Sequence, residues 1–505
     1  MLRKLVTLLF LLSIHVTATD ATEKLVPYTH TVEATVKNQT LITQGRQLPY
    51  DVYVGKCSIP GKDEKQIANI SYFAYLAENS ADRPLAFCFN GGPGSSSIWL
   101  HMGALGPKIV KTEDLAHSAT SGEYKNNPDS LLSSCDLVFI DPVSTGYSYS
   151  PNPEDEKPFF EVENDICSIA NFIRHFLTAY SRWQSPKVII GESYGSLRAV
   201  GITHLLQEKY FIDIHALGLI SLVLNTEVSE SYRPAPIPLI TALPTLATIA
   251  HYHEKLASPL RDKSAQEVFD LAADFAVNEY SRALIAGSQL PKETEHKIAQ
   301  QLSEFTSIPI PYIKQQHLRL TPYLFNQNFL DDQNLRIGDF DGRATKWKVP
   351  TTFFDCYSAD PSMYNITSGF SSAFQTYLLN DLKYKKNRPY TIMSDAITTW
   401  KWGREQKTKD GFGFLDFTND LRECFSLNPN LKVLVAAGLY DLATPAFSQK
   451  YCLNTLFLPE SQAMNIHFNT YEAGHMMYLH PPSRKKFSSD LHQLVDSVKT
   501  PCHKR

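Results

Sequence analysis

A serine, an aspartate and a histidine occur in this chain in an order that could form a catalytic triad. The serine, Ser193, is the centre of the motif G-E-S-Y-G at residues 191–195, directly after the apolar run at 187–190. The small residues of a G-x-S-x-G motif allow a sharp bend between a strand and a helix, which exposes the serine hydroxyl above the sheet. A hydroxyl at its normal pKa is a poor nucleophile, so this chemistry also needs a base, an orienting carboxylate and oxyanion donors. The alternative is an ordinary glycine turn, and the rest of the chain decides between the two.

The candidate carboxylate and base lie far downstream, each just after a segment that is typical of a strand. Asp441 follows the β-rich run at 431–438, and His475 follows the segment at 464–471. Open α/β sheets bind ligands beyond the carboxyl ends of their strands. The order Ser, Asp, His is that of α/β hydrolases. The placement and the order both favour a triad over a turn aspartate and a packed histidine.

The role of each triad residue follows from this chemistry. We predict that His475 takes the proton of Ser193 and returns it to the leaving group, while Asp441 fixes the tautomer of the imidazole. The chain has sixteen histidines, so position counts for more than residue type. His480 is the rival base, but it lies farther from the strand end and next to two prolines.

The oxyanion donors are predicted from a glycine-rich loop. The apolar strand at 85–89 opens directly into N-G-G-P-G-S-S-S at 90–97. Glycine lets a backbone N–H approach a ligand with no Cβ in the way. We predict that Gly92 N–H and Tyr194 N–H, the latter next to the nucleophile, form the oxyanion hole. The alternative, a flexible linker, fits less well because this loop directly follows a buried strand.

These residues need a sheet to position them, and the rest of the pattern predicts one. A further strand is expected at 216–224, followed by a cluster of prolines and then helical patterns at 264–286 and 292–305. The first helical pattern brings apolar side chains together at helix-like spacing; these are Val268, Phe269, Leu271, Ala272 and Phe275. The predicted fold class is α/β, an α/β hydrolase with a central, mostly parallel sheet and an inserted, mostly helical cap. The predicted parts are a core at 19–225, a cap at 226–395 and a second core part at 396–505, with the tryptophans at 400 and 402 near the return to the core.

The amino terminus is typical of a secretory signal peptide. Arg3 and Lys4 precede an apolar run at 5–12, and small residues at 16–18 offer a cleavage site. We predict a signal peptide at 1–18 and entry into the secretory pathway, with the extracellular space, the periplasm or an acidic organelle as destination according to the source. The apolar run is too short to cross a membrane as a helix, which takes about 20 apolar residues. No other apolar run approaches that length, so no membrane-spanning segment is predicted.

Composition excludes some classes of function. The chain has 505 residues, 43% of them hydrophobic, and a formal net charge of −4. This charge argues against a nucleic-acid partner, and the basic cluster at 383–388 is interpreted as a solvated surface. There is no Cys-x-x-Cys and no His/Cys cluster with zinc spacing, so we expect no metal and no cofactor. Eight cysteines allow 105 full pairings, which leaves the disulfides open.

Four motifs in family order resemble the serine carboxypeptidases. The sequence F-N-G-G-P-G-S-S-S at 89–97 is similar to that family's W-N-G-G-P-G-C-S-S, and G-E-S-Y-G at 191–195 is similar to its nucleophile motif. The loop at 140–148 resembles D-x-P-x-G-T-G-[FY]-S, and A-G-H-M at 473–476 matches directly. The resemblance implies an α/β hydrolase that removes C-terminal residues from peptides, usually at acidic pH.

The resemblance also implies a subsite for the terminal carboxylate of the substrate, and here the chain departs from the family. Family members use an Asn, a Gly and two acidic side chains that share protons, since two adjacent carboxyls cannot both ionise. Asn90, Gly91 and Glu192 match three of these positions, whereas Ala104 stands where the second acid is usual. The subsite is left with a single carboxyl.

The leading hypothesis is therefore a secreted serine-type carboxypeptidase that acts on a peptide or protein substrate through an acyl-enzyme. Because of Ala104, an aminopeptidase, an endo-acting peptidase, an esterase or an acyltransferase on the same scaffold stays open. A non-catalytic secreted binding protein is the alternative from a different class, and the intact set of triad and oxyanion candidates argues against it.

Overall fold

The computed structural model describes residues 29–43, 45–60, 66–77, 82–112, 121–228, 235–348, 360–403 and 415–499. Their strands are β1 (Thr29–Thr43), β2 (Arg46–Pro60), β3 (Gln66–Ala77), β4 (Leu85–Phe89), β5 (Lys108–Val110), β6 (Tyr124–Asn126), β7 (Asp136–Asp141), β8 (Lys187–Glu192), β9 (Ala216–Ile220), β10 (Leu335–Ile337), β11 (Thr345–Trp347), β12 (Lys432–Gly438) and β13 (Ile466–Tyr471). The predicted signal peptide at 1–18 lies outside the described residues.

The α-helices of the same residues are α1 (Ile98–Leu100), α2 (Val162–Ala179), α3 (Tyr194–Tyr210), α4 (Pro236–Tyr252), α5 (Ala265–Phe275), α6 (Ser281–Ala286), α7 (Lys292–Thr306), α8 (Ile310–Gln315), α9 (Pro322–Asn328), α10 (Pro361–Asn380), α11 (Thr418–Leu427), α12 (Ala446–Asn454), α13 (Glu460–Ala463) and α14 (Pro481–Asp496). A π-helical turn at His101–Leu105 continues α1, and another at Ala276–Tyr280 joins α5 to α6. None of the helices in the described ranges is both long and apolar enough to cross a bilayer.

One large sheet organises the molecule. Its strand order is β1-β2-β3-β7-β4-β8-β9-β12-β13. The pairs from β1 to β7 are antiparallel, and those from β7 to β13 are parallel. Every residue of β4, β7, β8 and β9 is buried, as expected of parallel strands that are covered on both faces. This arrangement is an α/β-hydrolase fold, and the predicted fold class is confirmed.

The two faces of the sheet belong to two different cores. In β4, the side chains of Leu85, Phe87 and Phe89 pack into the core that contains α2, α3 and α11. Ala86 and Cys88 face the opposite core, to which α10 and α14 contribute. This alternation is the two-residue period of a strand. Cys88 is buried and unpaired, and all six cysteines within the described ranges are free.

The chain between β9 and β12 is mostly helical where the structure describes it. Helices α4 to α9 share a third apolar core, and the predicted helical patterns correspond to α5–α6 and α7. Ser264 begins α5 with a capping box. Leu271 departs from the predicted apolar face: its side chain is exposed. The boundaries of the cap at 226 and 395 remain a prediction.

Strand β9 is shorter than the predicted strand at 216–224. It ends at Ile220 because Ser221 takes a left-handed φ of 49°. The Ser221 N–H still donates to the carbonyl of Ala436 at 2.8 Å. The bend directs the chain away from the sheet just beside the carboxyl ends of β8 and β12.

The bend between β8 and α3 depends on glycine at both sides of the serine. A Cβ on Gly191 would lie 2.1 Å from the carbonyl oxygen of Gly195, and one on Gly195 would lie 3.0 Å from the backbone of Asn90. In both cases the obstacle is backbone that cannot move without displacing the turn. The spacing of the G-x-S-x-G motif is thus a packing requirement of this bend.

We expect Gly191→Ala to lower the free energy of unfolding by about 1–3 kcal/mol, as overpacking in a core does. Urea denaturation followed by circular dichroism measures the loss. Gly218→Ala is the matched control in the neighbouring strand, because its Cβ would meet only the side chains of Ile190 and Leu491, at 3.3–3.4 Å. Equal losses in the two variants would contradict the packing argument.

Candidate active site

Ser193 lies at the turn between β8 and α3 in a strained backbone conformation. Its φ is 59° and its ψ is −130°, a region that non-glycine residues occupy only when their surroundings impose it. The Ser193 N–H donates to the carbonyl of Ile220 at 2.9 Å, and its carbonyl accepts from Ser196 N–H at 2.8 Å and Ser196 Oγ at 2.6 Å. These bonds hold the turn, and the hydroxyl lies on a half-buried residue at the mouth of a cleft.

His475 and Asp441 form a buried hydrogen-bonded pair. The distance from His475 Nδ1 to Asp441 Oδ2 is 2.7 Å. The carboxylate also accepts from the backbone N–H groups of Ala443 and Thr444, both at 2.9 Å, and from Thr444 Oγ1 at 2.5 Å. These hydrogen bonds fix the side chain of Asp441 in the position from which it orients the imidazole.

The backbone of His475 is fixed as firmly as its ring. Its N–H donates to the carbonyl of Phe340 at 2.6 Å, and its carbonyl accepts from Ser221 Oγ at 2.6 Å. With Nδ1 donating to Asp441, the hydrogen-bond network assigns the proton to Nδ1 and leaves Nε2 as an acceptor. Nε2 is buried and has no hydrogen-bond partner among the described residues. It is therefore available to accept a proton.

Opposing effects determine the pKa of His475. Burial by itself lowers this pKa, but the charge of Asp441 and the hydrogen bond from Nδ1 raise it, and the charges of Glu192 and Asp360 add to the increase. The net pKa lies above the usual value for histidine. The site therefore stabilises the imidazolium that would form after proton transfer.

The glycine loop that follows β4 lies directly against the start of α3. A Cβ on Gly91 would lie 2.6 Å from both Tyr194 N and Gly195 N. Gly92 has a φ of +102°, which glycine adopts at little cost. Tyr194 is the first residue of α3, so its N–H has no acceptor within the helix. Backbone donors from two segments thus border the same space, at the positive end of a helix dipole.

Glu192 is a buried carboxyl with one strong partner. Its Oε2 accepts from Tyr478 Oη at 2.6 Å, and the residue is 2% exposed. Burial raises the pKa of Glu192 to about 7, against the charge of His475 and the hydrogen bonds of Tyr478 and Asn90, while the charge of Asp441 supports the increase. Glu192 can therefore hold a proton close to neutral pH, which an ordinary glutamate does not.

The side-chain amide of Asn90 lies beside this carboxyl. Its Oδ1 accepts from the N–H of Leu100 at 3.1 Å, which orients the side chain. Its Nδ2 is buried and makes no hydrogen bond of acceptable geometry, although it lies close enough to Glu192 to lower the pKa of that carboxyl. Because Asn90 also lines the cleft, its amide can donate to an acceptor oxygen of a ligand there.

Six of the eight residues predicted for the site line one cleft, together with apolar walls. The predicted residues are Asn90, Gly91, Gly92, Glu192, Ser193 and His475, and the walls are Trp99, Phe340, Met363, Met393 and Met476. Asp441 lies behind His475, and Tyr194 begins the helix next to Ser193. The rival His480 does not join them: its Nδ1 lies 2.8 Å from Ser483 Oγ at the start of α14.

The loop at 140–148 supports the site from behind. The buried Asp141 carboxylate accepts from the N–H and Oγ of Ser97, at 2.9 and 2.8 Å, and from Tyr390 Oη at 2.9 Å. It therefore ties the glycine loop to the segment that carries Met393. Ser96 N–H completes this connection by donating to the carbonyl of Ile392 at 2.9 Å.

Arg198 joins α3, the helix that follows Ser193, to the glycine loop. Its Nε donates to Asp165 Oδ2 and its Nη1 donates to the carbonyl of Asn90, each at 2.7 Å. The same aspartate accepts from Tyr194 Oη at 3.2 Å. All four side chains are buried. Sequence reasoning did not identify Arg198 or Asp165, because neither belongs to a motif.

Other residues of the site also escaped the sequence interpretation. Thr444 and Tyr478 each lie three residues after a predicted triad member, and this proximity was the only signal for them. Met363 and Met393 belong to segments with no catalytic pattern, and only their packing brings them to the cleft. The ring of Trp400 is buried and lies 5.5 Å from that of Tyr194, so it packs against the residue that follows Ser193.

Parts of this chain are similar in sequence to known proteins. Residues 54–210 match the family described as serine carboxypeptidase. This part of the chain is similar to the serine carboxypeptidases. The chain is 28% identical over 186 residues to serine carboxypeptidase-like 5 of Arabidopsis thaliana, across 36% of this chain and 41% of that protein. It is 31% identical over 144 residues to pheromone-processing carboxypeptidase KEX1 of Saccharomyces cerevisiae, across 26% of this chain and 19% of that protein.

The serine carboxypeptidase match is confined to part of the chain. The alignments span less than half of the length of these relatives. The matched range contains Ser193, Glu192 and the glycine loop but neither Asp441 nor His475. The likeness of this chain to solved structures is weak. A carboxyl esterase from Bacillus coagulans has a TM-score of 0.36 and 11% identity over 88% of this chain and 98% of that one. The fold assignment rests on the strand order instead.

Asp441→Asn should lower kcat by about 10⁴-fold, because an amide would favour the wrong tautomer of His475. The rate at which a fluorophosphonate labels Ser193 measures the effect without assuming a substrate. Asp496→Asn, an exposed carboxylate at the end of α14, is the matched control. If Asp441→Asn reacts at the wild-type rate while its circular dichroism is unchanged, Asp441 does not act through His475.

Proposed function

We propose that this protein is a serine-type carboxypeptidase that cleaves the C-terminal residue from peptides through an acyl-enzyme. The proposal rests on one observation: two groups of residues line the same cleft. Ser193 and His475 form the reactive group. Glu192 and Asn90 form a group that can donate hydrogen bonds to a carboxylate. Neither group by itself would specify both the reaction and the end of the chain that is cleaved.

The reaction begins with proton transfer from Ser193 Oγ to His475 Nε2 as Oγ attacks the scissile carbonyl carbon. Asp441 stabilises the imidazolium, and the N–H groups of Gly92 and Tyr194 donate to the oxyanion. His475 then gives the proton to the amine of the departing residue, and the C–N bond breaks. A water molecule, deprotonated by His475, attacks the acyl-enzyme, and Ser193 regains its proton as the shortened peptide leaves.

The subsite for the terminal carboxylate explains why the cleavage would be restricted to chain ends. Protonated Glu192, Asn90 Nδ2 and the N–H of Gly91 are three donors for two carboxylate oxygens. Bringing an internal peptide bond to Ser193 would place a neutral, bulkier group at these donors. The apolar walls formed by Trp99 and the methionines favour apolar side chains next to the scissile bond.

We also propose that residues 1–18 direct the chain into the secretory pathway, on the pattern of charge, apolar run and small residues described above.

Product analysis by mass spectrometry tests the reaction. At about pH 5, where Glu192 is protonated, peptides with free carboxyl ends should lose C-terminal residues, and Ser193→Ala should release nothing. C-terminally amidated peptides should be cleaved at least tenfold more slowly, while N-terminally blocked peptides should be cleaved normally. Cleavage that ignores the carboxyl end, or that starts at the amino end, would replace the proposal with another acyl-transfer reaction on this scaffold.

The pH profile tests the role of Glu192. A group with a raised pKa keeps its proton up to that pKa, so kcat/KM for free-carboxyl peptides should fall as pH increases through about 7. The profile for an amidated peptide or a simple ester should not show this fall, because these substrates bring no carboxylate. His475 must be neutral to accept the proton of Ser193, so its raised pKa lowers kcat/KM for every substrate at acidic pH. The deciding quantity is therefore the ratio of kcat/KM for the free-carboxyl peptide to kcat/KM for the ester. If this ratio does not change between about pH 4.5 and 7.5, Glu192 is not a proton donor to the substrate.

A further inference from the structure

Tyr478 is the one direct side-chain partner of the Glu192 carboxyl that satisfies hydrogen-bond geometry among the described residues. Its Oη donates to Glu192 Oε2 at 2.6 Å, and both residues are buried. The phenol ring is held in place by the aromatic ring of Phe487, with 6.1 Å between centroids. The hydroxyl is therefore a fixed donor at the back of the cleft.

The ring of Tyr478 packs against the segment in which the second acid is missing. That segment is the π-helical turn His101–Leu105, which contains Ala104. A Cβ on the neighbouring Gly103 would lie 2.8 Å from Cε2 of Tyr478, so the ring and the turn are in direct contact. The phenol thus reaches Glu192 from the part of the fold where the resemblance to the family places a carboxyl.

We propose that Tyr478 is a positioning residue that replaces the missing second acid. Its hydroxyl holds Oε2 of Glu192, so that Oε1 is the oxygen that carries the proton towards the terminal carboxylate of the substrate. This inference rests on the proposed carboxypeptidase function and adds to it the way in which a single carboxyl is oriented.

A phenol differs from a carboxyl in what it can do for Glu192. Burial, followed by the charge of Glu192, raises the pKa of Tyr478 well above its usual value. The hydroxyl therefore stays protonated across the working range of pH and serves Glu192 as a donor, whereas a second carboxyl would share a proton with it. Orientation by a permanent donor does not depend on pH.

The same hydrogen bond affects the titration of Glu192. A hydrogen-bond donor stabilises the ionised form of a carboxyl group. The hydrogen bond from Tyr478 therefore lowers the pKa of Glu192, whereas burial raises it. The other groups that face Glu192 are His475 and Asn90, which lower its pKa, and Asp441, which raises it. Removal of the hydroxyl alone should therefore move the titration of Glu192 to higher pH.

Tyr478→Phe tests the proposal because it removes the hydroxyl and keeps the ring against Gly103. We expect the high-pH fall of kcat/KM for free-carboxyl peptides to move upward by about one pH unit or more. At about pH 5, KM should increase about tenfold with little change in kcat, because a misoriented Glu192 weakens binding of the carboxylate rather than the chemical step. Hydrolysis of a simple ester should change less than twofold, as roughly expected for an interaction that this substrate does not use.

Tyr471→Phe is the matched control. Its hydroxyl also donates to a carboxylate at 2.6 Å and its ring is also buried, but the acceptor is Asp490 Oδ2 and not Glu192. This variant should leave the pH profile unchanged. An unshifted profile in Tyr478→Phe, or an equal shift in Tyr471→Phe, would overturn the proposal.

An infrared pH titration separates this proposal from the proposed function. The band of the protonated Glu192 carboxyl is identified by its loss in Glu192→Gln, and its midpoint should be higher in Tyr478→Phe than in the wild type. If the wild type cleaves free-carboxyl peptides but the midpoint does not move, the role of Tyr478 is wrong and the proposed function stands. If the wild type cleaves no free-carboxyl peptide, the proposed function is wrong. A higher titration midpoint of Glu192 in Tyr478→Phe would then still support the hydrogen bond by which Tyr478 orients Glu192.

Discussion

The contact between the Arg198 guanidinium and the carbonyl of Asn90 is the interaction on which the site depends. Arg198 lies on α3, the helix that begins beside the nucleophile, and Asn90 opens the glycine loop. The charge is buried, paired with Asp165, and lies within about 5 Å of the ring centroids of Phe89 and Tyr194. Loss of one partner would leave a buried charge uncompensated, at a cost of about 3–5 kcal/mol. The contact therefore fixes the distance between the serine hydroxyl and the predicted oxyanion donors.

The electrostatics of the cleft follow from burial of several ionisable groups together. Asp441, His475 and Glu192 are each almost fully buried, so their charges are poorly screened. The charges of Asp441 and His475 affect the titration of Glu192, and those of Asp441 and Glu192 affect the titration of His475. The charge of His475 lowers the pKa of Glu192, and the charge of Glu192 raises that of His475. Proton uptake by the two groups is consequently coupled, and a measured pH profile describes the pair. The Tyr478 hydroxyl adds a permanent donor to this set.

The sheet and the inserted segment contribute different parts of the site. Residues for the proposed chemistry lie at the carboxyl ends of β4, β8, β12 and β13 or in the loops that follow them. Phe340, Met363 and Met393, which form part of the apolar wall, lie between β9 and β12. The Asp141 carboxylate connects the two parts through Ser97 and Tyr390. A change of wall residues could therefore alter side-chain preference without moving the triad.

The sequence by itself determined the residues that occupy strand ends. Ser193, Asp441 and His475 were predictable because parallel strands end at a common edge, so residues that follow different strands are brought together by the fold. The small residues at 191 and 195 were predictable because the bend leaves little space for a side chain beside the backbone. Tertiary structure alone decided that Tyr478 meets Glu192, 286 residues away, and that Arg198 meets the carbonyl of Asn90, 108 residues away. These contacts depend on how loops and helices pack across the sheet, and no local period or motif encodes such packing.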